Sequence, residues 1–212
     1  MTFHVKHTIY SADDFFAEFA VSRETAARLT AYADLLTKWQ TRINLVGPAT
    51  IPDLWRRHMQ DSAQLLPLLP NGPQLDLGSG AGFPALVLAI LRDQPTHLVE
   101  SDARKCAFLR EAARLTGAPA TIHNVRIETL KPFPIKVITA RALASVAELL
   151  ALAEPFLGEG VECLFLKGEK LEDELTIAAK TWKMTHDRIP SRSDPKGIIL
   201  RVKEVHRGPD ES

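Results

Sequence analysis

The chain has 212 residues, of which 45% are hydrophobic and 25% are charged, as in an ordinary globular protein with one substantial domain. Its 26 basic and 26 acidic side chains cancel, which argues against a protein that coats nucleic acid without specificity. No apolar run approaches the ~20 residues of a membrane helix. Residues 1–7 contain no apolar stretch of signal-peptide length, so a cytoplasmic location is expected.

The first 70 residues are predicted to be helical. Ser11 and Asp14 form a capping box before the first helix, and Ser22 caps a second helix that runs to Trp39. Apolar residues recur on the second helix at every third or fourth position. They predict one buried face, made of Ala26, Leu29, Ala33, Leu36 and Trp39 or Gln40.

A third helix is predicted after the break at residues 44–48. Thr50 would cap it, with Pro52 in its first turn and Asp53 at the capping-box position. Asp53 would then form an i,i+4 ion pair with Arg57, and His58 would pack or cap. A turn at residues 71–73 closes the region. We therefore expect residues 1–70 to form a helical extension packed on a core of residues 71–212.

From residue 74 the pattern changes to alternating strands and helices, which predicts an α/β fold with a mostly parallel sheet. Strands are expected near residues 74–77, 97–100, 120–124, 136–140, 162–167, 183–189 and 197–205. Helices are expected near residues 84–92, 103–117, 145–153 and 170–181. Only a linker at 190–197 joins the last two strands, which predicts a terminal hairpin in a seven-stranded, Rossmann-like sheet.

A glycine loop follows the first of these strands. Residues 75–83 read Leu-Asp-Leu-Gly-Ser-Gly-Ala-Gly-Phe, so Asp76 lies at the strand end, followed by Gly78, Gly80 and Gly82. Glycine lets backbone approach a ligand where a β-carbon would collide with it. Dinucleotide folds place the third glycine three residues after the second, where this chain has Phe83. The pattern resembles the cofactor loop of class I S-adenosylmethionine-dependent methyltransferases; an ordinary strand-to-helix turn is the alternative.

Acidic residues follow the next two strands, and ligands of open α/β sheets bind at such carboxyl ends. Glu100 is placed to accept both hydroxyls of a ribose, a role that an acid also has in dinucleotide folds. Glu128 could accept a hydrogen bond from an adenine amino group, with Ile127 offering its backbone N–H and apolar contact. A solvated loop acid is an equally good interpretation of Glu128.

Basic residues follow the fourth and fifth strands. Arg141 could bind the methionine carboxylate of the cofactor through two hydrogen bonds, or hold an RNA phosphate. We take it as a cofactor-binding residue and as a catalytic residue that acts by positioning. Lys167, followed by Gly168, ends the fifth strand and is a candidate for RNA contact.

Two missing features narrow the chemical classes of methyl acceptor that the site would suit. The Asn/Asp-Pro-Pro-Tyr/Phe motif of amino-directed nucleic-acid methyltransferases is absent after the fourth strand, where residues 140–143 read Ala-Arg-Ala-Leu. Cys106 and Cys163 are too few for a disulfide framework or a metal site, and both fit a core better than an activated thiolate. Guanine N7 suits such a site because it has a free lone pair and no proton to lose, so catalysis would rest on positioning.

Seven motifs lie in order between about Leu35 and Lys170. They are Asn44-Leu-Val46; Arg57-His58 with Asp61-Ser62; Asp76 to Pro84; Glu100-Ser101 followed by Arg104-Lys105; Arg126-Ile-Glu128; Thr139-Ala-Arg141-Ala142; and Leu166-Lys-Gly168. Together they are similar to the bacterial 16S ribosomal RNA guanine-N7 methyltransferase family, the RsmG or GidB type. The resemblance implies cofactor contacts from Gly78, Phe83, Ile127, Glu128 and Arg141. Ala85 and Glu100 depart from it, since glycine and aspartate are frequent there.

The resemblance also implies a substrate. We expect methylation at N7 of one guanine in 16S ribosomal RNA, within the small subunit or an assembly intermediate, by a monomer that uses S-adenosylmethionine and no metal. Arg56, Arg57 and His58 are RNA-binding candidates within a basic cluster that includes Lys38 and Arg42, and we give none of them a catalytic role. A second basic cluster spans residues 188–207, and solvated faces are the alternative for both. A small-molecule methyltransferase and a non-catalytic dinucleotide-binding module remain the competing functions.

Overall fold

The computed structural model describes residues 9–208. Its α-helices are α1 (Ala12–Glu18), α2 (Arg23–Gln40), α3 (Asp61–Ala63), α4 (Ala85–Arg92), α5 (Ala103–Thr116), α6 (Val146–Ala153) and α7 (Leu171–Ala178). Its strands are β1 (Gln74–Leu77), β2 (Thr96–Val99), β3 (Ala120–His123), β4 (Val137–Arg141), β5 (Glu162–Lys167), β6 (Trp182–Pro190) and β7 (Ile198–Arg207). All seven predicted strands are confirmed within two residues, and so is the capping box of α1.

The strands form one sheet in the order β3-β2-β1-β4-β5-β7-β6. Pairs among β1 to β5 are parallel, whereas β7 runs antiparallel to both β5 and β6. The predicted parallel sheet with a terminal hairpin is thereby confirmed. Strand order reverses between β1 and β4, so the crevice outside their carboxyl ends is where a ligand is expected in such sheets.

Two apolar clusters lie on opposite faces of the sheet. One joins α1 and α2 to α4 and α5, and its fully buried members include Phe15, Leu29, Leu36, Leu86 and Phe108. The other packs α6 and α7 on the sheet. Leu149 and Leu150 of α6 and Leu175 of α7 contact apolar residues of the strands there. Six of the eight residues of α4 are buried, because this helix lies between the sheet and the N-terminal helices.

The predicted third helix is wrong in form. Residues Pro48–Asp53 make a 3₁₀ helix, Trp55–Gln60 continue as a π turn, and only α3 is α-helical. Pro48 and Pro52 both lack the backbone N–H that a regular α-helix would use, which favours short, irregular turns. The Thr50 hydroxyl donates to the Gly47 carbonyl at 2.7 Å instead of capping.

The predicted pairing of Asp53 is also wrong. Its carboxylate accepts from the Nε–H and Nη2–H groups of Arg56 at 2.8 and 2.5 Å, where the 3₁₀ helix passes into the π turn and the regular spacing of an α-helix is lost. Arg57 is thereby left to pair with Asp194 at 2.9 Å, in the loop between β6 and β7. This contact joins residues 48–64, which we call the helical segment, to the C-terminal hairpin of β6 and β7.

No helix within residues 9–208 has the length and apolar character needed to cross a membrane.

Candidate functional site

A cleft of about 900 Å³ opens at the carboxyl ends of the parallel strands. The loops after β1 to β5 line it on one side, and residues 45–61 with the β6–β7 loop line it on the other. It brings together almost all of the predicted site residues: Gly78, Gly80, Phe83, Glu100, Ile127, Glu128, Arg141, Lys167, Arg57 and His58. Arg56 is the exception, since it does not line the cleft.

The three glycines of the loop serve different purposes. All have positive φ values, +65° at Gly78, +55° at Gly80 and +95° at Gly82, which L side chains rarely adopt. A β-carbon on Gly82 would lie 2.9 Å from the hydroxyl of Tyr32, so this glycine permits packing against α2. A β-carbon on Gly80 would meet nothing nearer than the Gly78 carbonyl at 3.9 Å. Gly80 is therefore the glycine that leaves space in the cleft.

The Glu100 carboxylate is fixed by two backbone donors. One oxygen accepts from the N–H of Gly80 at 3.0 Å and the other from the N–H of Asp102 at 2.8 Å. Each ionised carboxylate oxygen can accept more than one hydrogen bond. Glu100 therefore joins the glycine loop to the end of β2 and keeps acceptor capacity on both oxygens for a ligand.

Asp76, at the end region of β1, is buried with one oxygen unpaired. Its Oδ1 atom accepts from the Thr139 hydroxyl at 2.6 Å, whereas Oδ2 has no partner among the described residues. Burial raises the pKa of this carboxyl to about 7, although the hydrogen bond from Thr139 opposes the shift. Asp76 does not line the cleft, so this unpaired acceptor is a cost within the fold and not a contact offered to a ligand.

Ile127 and Glu128 lie on a short 3₁₀ turn after β3. Ile127 is partly buried against the α6 and α7 side of the core, which holds this turn in place. The Glu128 side chain is 57% exposed, and its carboxylate lies 3.8 Å from Arg126. Glu128 therefore faces the cleft on a supported turn while remaining accessible.

Arg141 is held from the opposite wall of the cleft. Its Nη1 donates to the Arg57 carbonyl and to Asp61 Oδ2, both at 3.2 Å, and its Nη2 donates to His58 Nδ1 at 2.9 Å. The guanidinium lies 5.0 Å above the ring of Phe83, within the range of a cation–π contact. Arg141 is therefore a fixed cation between the glycine loop and the helical segment.

His58 is neutral and has a defined tautomer. Since arginine cannot accept a hydrogen bond, the contact with Arg141 requires an unprotonated Nδ1 and places the proton on Nε2. That Nε2–H donates to the Thr50 hydroxyl at 2.7 Å. Burial, with the charges of Arg141 and Arg57, lowers the pKa of His58 to about 3. Its ring also stacks on Phe83 at 4.9 Å, which confirms that it packs.

Ion pairs cover much of the basic surface. Lys167 donates to Glu174 at 2.5 Å and to the Ala144 carbonyl at 2.8 Å, and its side chain is 10% exposed. Acidic partners also lie beside residues of the second basic cluster: Arg188 with Glu172, Arg192 with Glu18, Lys196 with Glu169, Arg201 with Glu162, Lys203 with Asp187 and Arg207 with Glu154. These charges are largely balanced within the fold.

Sequence reasoning missed the residues that hold Arg141 in place. Asp61 belongs to a recognised motif, but its contact with Arg141 joins residues 80 positions apart and no spacing rule indicates it. Leu143 is another residue that sequence reasoning missed. A β-carbon on Gly78 would lie 2.6 Å from the Cδ1 atom of Leu143, so the first glycine of the loop has a packing role.

Neither cysteine belongs to the cleft. Both are buried, and burial raises the pKa of the Cys106 thiol and that of Cys163, the latter to about 12. Their placement confirms that they are core residues. No group of three or more His, Cys, Asp or Glu side chains that could hold a metal occurs within the described part of the chain.

The sheet order, the antiparallel β7 and the glycine loop after β1 define a class I S-adenosylmethionine-dependent methyltransferase fold. The crystal structure of M. jannaschii TYW2 in complex with AdoMet shares this fold, with a TM-score of 0.55 at 14% identity. The match covers 79% of this chain and 80% of that one.

The chain belongs to the GidB family, described as rRNA small subunit methyltransferase G, whose sequence model matches residues 25–196. It is 58% identical over 198 residues to the ribosomal RNA small subunit methyltransferase G of Paramagnetospirillum magneticum, covering 92% of this chain and 97% of that protein. It is 56% identical over 195 residues to the protein of the same name from Rhodospirillum rubrum, covering 91% and 97%. The chain is an S-adenosylmethionine-dependent RNA methyltransferase.

Proposed function

We propose that this protein transfers the methyl group of S-adenosylmethionine to N7 of a guanine in 16S ribosomal RNA, acting as a monomer on the small subunit or an assembly intermediate. Membership of the GidB family supports the substrate. The observation that carries the mechanism is one cleft in which the glycine loop, Glu100 and Arg141 face a common space.

The residues present fit the cofactor. Gly80 leaves open space beside its backbone, and Glu100 keeps acceptor capacity on both carboxylate oxygens for the two ribose hydroxyls. Glu128 would accept from the adenine amino group, and Ile127 would contribute its backbone N–H and apolar contact.

Arg141 would bind the carboxylate of the methionine part. Three of the five guanidinium N–H groups are used by Arg57, Asp61 and His58. The Nε–H and the second N–H of Nη2 have no partner among the described residues. When the Nη2 N–H that points away from Nε donates to His58, the Nε–H and the other Nη2 N–H lie side by side. These two groups then form the side-on fork that matches a carboxylate. An RNA phosphate has the same charge and a similar geometry, so it is the other anion that the fork could hold.

Catalysis would rest on position. When bound, the cofactor supplies a methyl group activated by its sulfonium. Guanine N7 would attack through an in-plane lone pair and lose no proton, so no residue of the chain has to act as a general base. The N7–CH3 bond would form as the S–CH3 bond breaks, so that S-adenosylhomocysteine leaves neutral at sulfur and the purine carries the positive charge. The chain has to align the two reactants and tolerate a relocated cation, and fixed side chains such as Arg141 and Phe83 favour this.

The RNA-binding candidates divide by exposure. The side chains of Arg56 and Arg57 are 47% and 43% exposed, and we assign phosphate contacts to them. His58 and Lys167 are mostly buried and already have partners inside the protein. We therefore assign them to the wall of the cleft beside the RNA.

The chain divides into an N-terminal extension and a core. We treat residues 1–70 as the helical extension and residues 71–212 as the cofactor-binding core, of which residues 1–8 and 209–212 lie outside the described part of the chain. Contacts of α2 with α4 and α5, and the 2.5 Å hydrogen bond from the Tyr32 hydroxyl to the Ala81 carbonyl, support an extension packed on the core. Through this bond the extension also supports the glycine loop.

The test is methyl transfer with the purified protein and methyl-labelled S-adenosylmethionine. Assembled small subunits, protein-free 16S RNA and guanosine nucleotides are offered in parallel, and the labelled base is identified. We expect label at N7 of a single guanine in one of the RNA substrates and none on free nucleotides. Comparable transfer to free nucleotides would point to a small-molecule methyltransferase and contradict the proposal.

A further inference from the structure

Asp61 lies between the cleft and the C-terminal hairpin, and its two carboxylate oxygens face different parts of the chain. Oδ2 accepts from Arg141 at 3.2 Å. Oδ1 accepts from the Ser193 hydroxyl at 2.6 Å and from the Gln64 amide at 2.9 Å. One carboxylate thereby connects the β4 end, the helical segment and the β6–β7 loop. Its side chain is 17% exposed, so water competes only weakly for these contacts.

The β6–β7 loop is itself tightly bound to the helical segment. Gln64 accepts from the Arg192 N–H at 2.8 Å through its Oε1 atom, and its amide nitrogen reaches Ser191 at 3.1 Å. Ser193 and Gln64 are each 4% exposed. Buried, satisfied polar networks of this kind specify one arrangement, because each broken bond leaves a buried group unpaired.

Arg141 needs such support because an arginine side chain has several rotatable bonds. Its contacts with Asp61 and the Arg57 carbonyl set the plane of the guanidinium, and His58 sets which Nη2 proton stays free. If Asp61 rotates, the fork turns away from the anion that it binds. The orientation of Asp61 in turn depends on Ser193, which is 132 residues away in sequence.

We propose that Asp61 and Ser193 are positioning residues for Arg141, so that the β6–β7 loop is a working part of the active-site wall. This inference rests on the proposed function, because it assumes that Arg141 binds the cofactor carboxylate or an RNA phosphate. It gives a role to Asp61 of the Arg-His-x-x-Asp-Ser motif and to Ser193 of the hairpin linker.

A double-mutant cycle tests the coupling. Asp61→Asn, Ser193→Ala and Arg141→Ala are made singly, and the first two are also combined with Arg141→Ala. The dissociation constant for S-adenosylhomocysteine and the KM for RNA are measured for each. We expect Arg141→Ala to weaken one of these by about 10-fold or more, Asp61→Asn by about 10-fold and Ser193→Ala by about 3-fold. In the Arg141→Ala background, the other two substitutions should have no further effect.

The controls separate positioning from folding. Thr176→Ala removes an exposed hydroxyl outside the cleft, one that donates to the Glu172 carbonyl within α7, and should leave both constants unchanged. Thermal unfolding shows whether each variant is folded, and binding is expressed per folded molecule. Equal losses with and without Arg141 would overturn the positioning role. Unchanged constants in Arg141→Ala alone would instead refute the proposed function of Arg141, on which the inference rests.

Discussion

The two walls of the cleft are built in different ways. The wall of the glycine loop uses contacts that are shorter in sequence, Glu100 with Gly80 at 20 residues apart and Tyr32 with Ala81 at 49. The opposite wall joins residues 80 and 132 positions apart, through Asp61 with Arg141 and with Ser193. The first wall offers backbone and acceptors, whereas the second fixes one cation. A local motif thus creates the cofactor space, and tertiary packing creates the charge that faces it.

The two walls also differ in secondary structure. Regular strands and helices form the first wall, and irregular turns form the second. Strands and helix starts position Gly78, Gly80 and Glu100 through repeated backbone geometry. His58 and Asp61 lie on or beside a π turn, where the wider helix changes which side chains face inward. Such turns are frequent at functional sites. Substitutions on the first wall should therefore act on cofactor affinity directly, and substitutions on the second through Arg141.

The largest effect is expected at the first wall, from Gly80→Ala. Gly117→Ala is its matched control, because both glycines have φ near +60° and neither would place a β-carbon in a close contact. Both substitutions should lower the free energy of unfolding by about 1–2 kcal/mol through left-handed backbone strain. Only the methyl group at position 80 enters the cleft. Titration with S-adenosylhomocysteine should show about a 10-fold loss or more for Gly80→Ala and none for Gly117→Ala.

An equal loss of affinity in both variants would show that strain, rather than the space beside Gly80, controls binding. Equal affinity in Gly80→Ala and the unaltered protein would place the cofactor elsewhere.

An effect of intermediate size is expected at the second wall, from the pH dependence of stability. The pKa of His58 is about 3 in the folded protein against a usual value of 6.5, so the unfolded chain binds a proton first as pH falls. The stability that neutral His58 provides is complete above about pH 6.5 and declines from there towards pH 3. The slope that it contributes is at most about 1.4 kcal/mol per pH unit.

Chemical denaturation of the unaltered protein and of His58→Gln, at pH 7, 6 and 5, measures this slope. As the pH falls, the unfolding free energy of the unaltered protein should decrease relative to that of His58→Gln. A difference that does not change with pH would show that His58 is not held neutral by burial and Arg141.

The smallest effect is expected outside both walls, from Arg56→Gln. This exposed residue does not line the cleft, so the affinity for S-adenosylhomocysteine should not change. If it contacts a phosphate, KM for RNA should rise about 3-fold and the salt dependence of binding should fall by about one unit of slope. Arg114→Gln, which breaks a similar exposed pair with Glu111, is the control. Identical RNA kinetics in the two variants would remove Arg56 from the RNA-binding surface.

Sequence patterns predicted the first wall well and the second poorly. Alternation of apolar segments gave the strands, and the glycine spacing gave the loop, because both depend on neighbouring residues. The helix assigned to Thr50 and Asp53 failed because two prolines shortened its turns. Arg141 could be singled out at a strand end. Its support could not, since Asp61 contacts Arg141 and Ser193 contacts Asp61 only after the hairpin has packed on the helical segment.

Mapping N7-methylguanosine in the 16S ribosomal RNA of cells that lack this protein tests the central claim most directly. The same cells are examined again after they receive the unaltered protein or Arg141→Ala. We expect one N7-methylguanosine to be absent without the protein, to return with the unaltered chain and to stay absent or strongly reduced with Arg141→Ala. An unchanged set of N7-methylguanosines in cells without the protein would contradict the proposed activity.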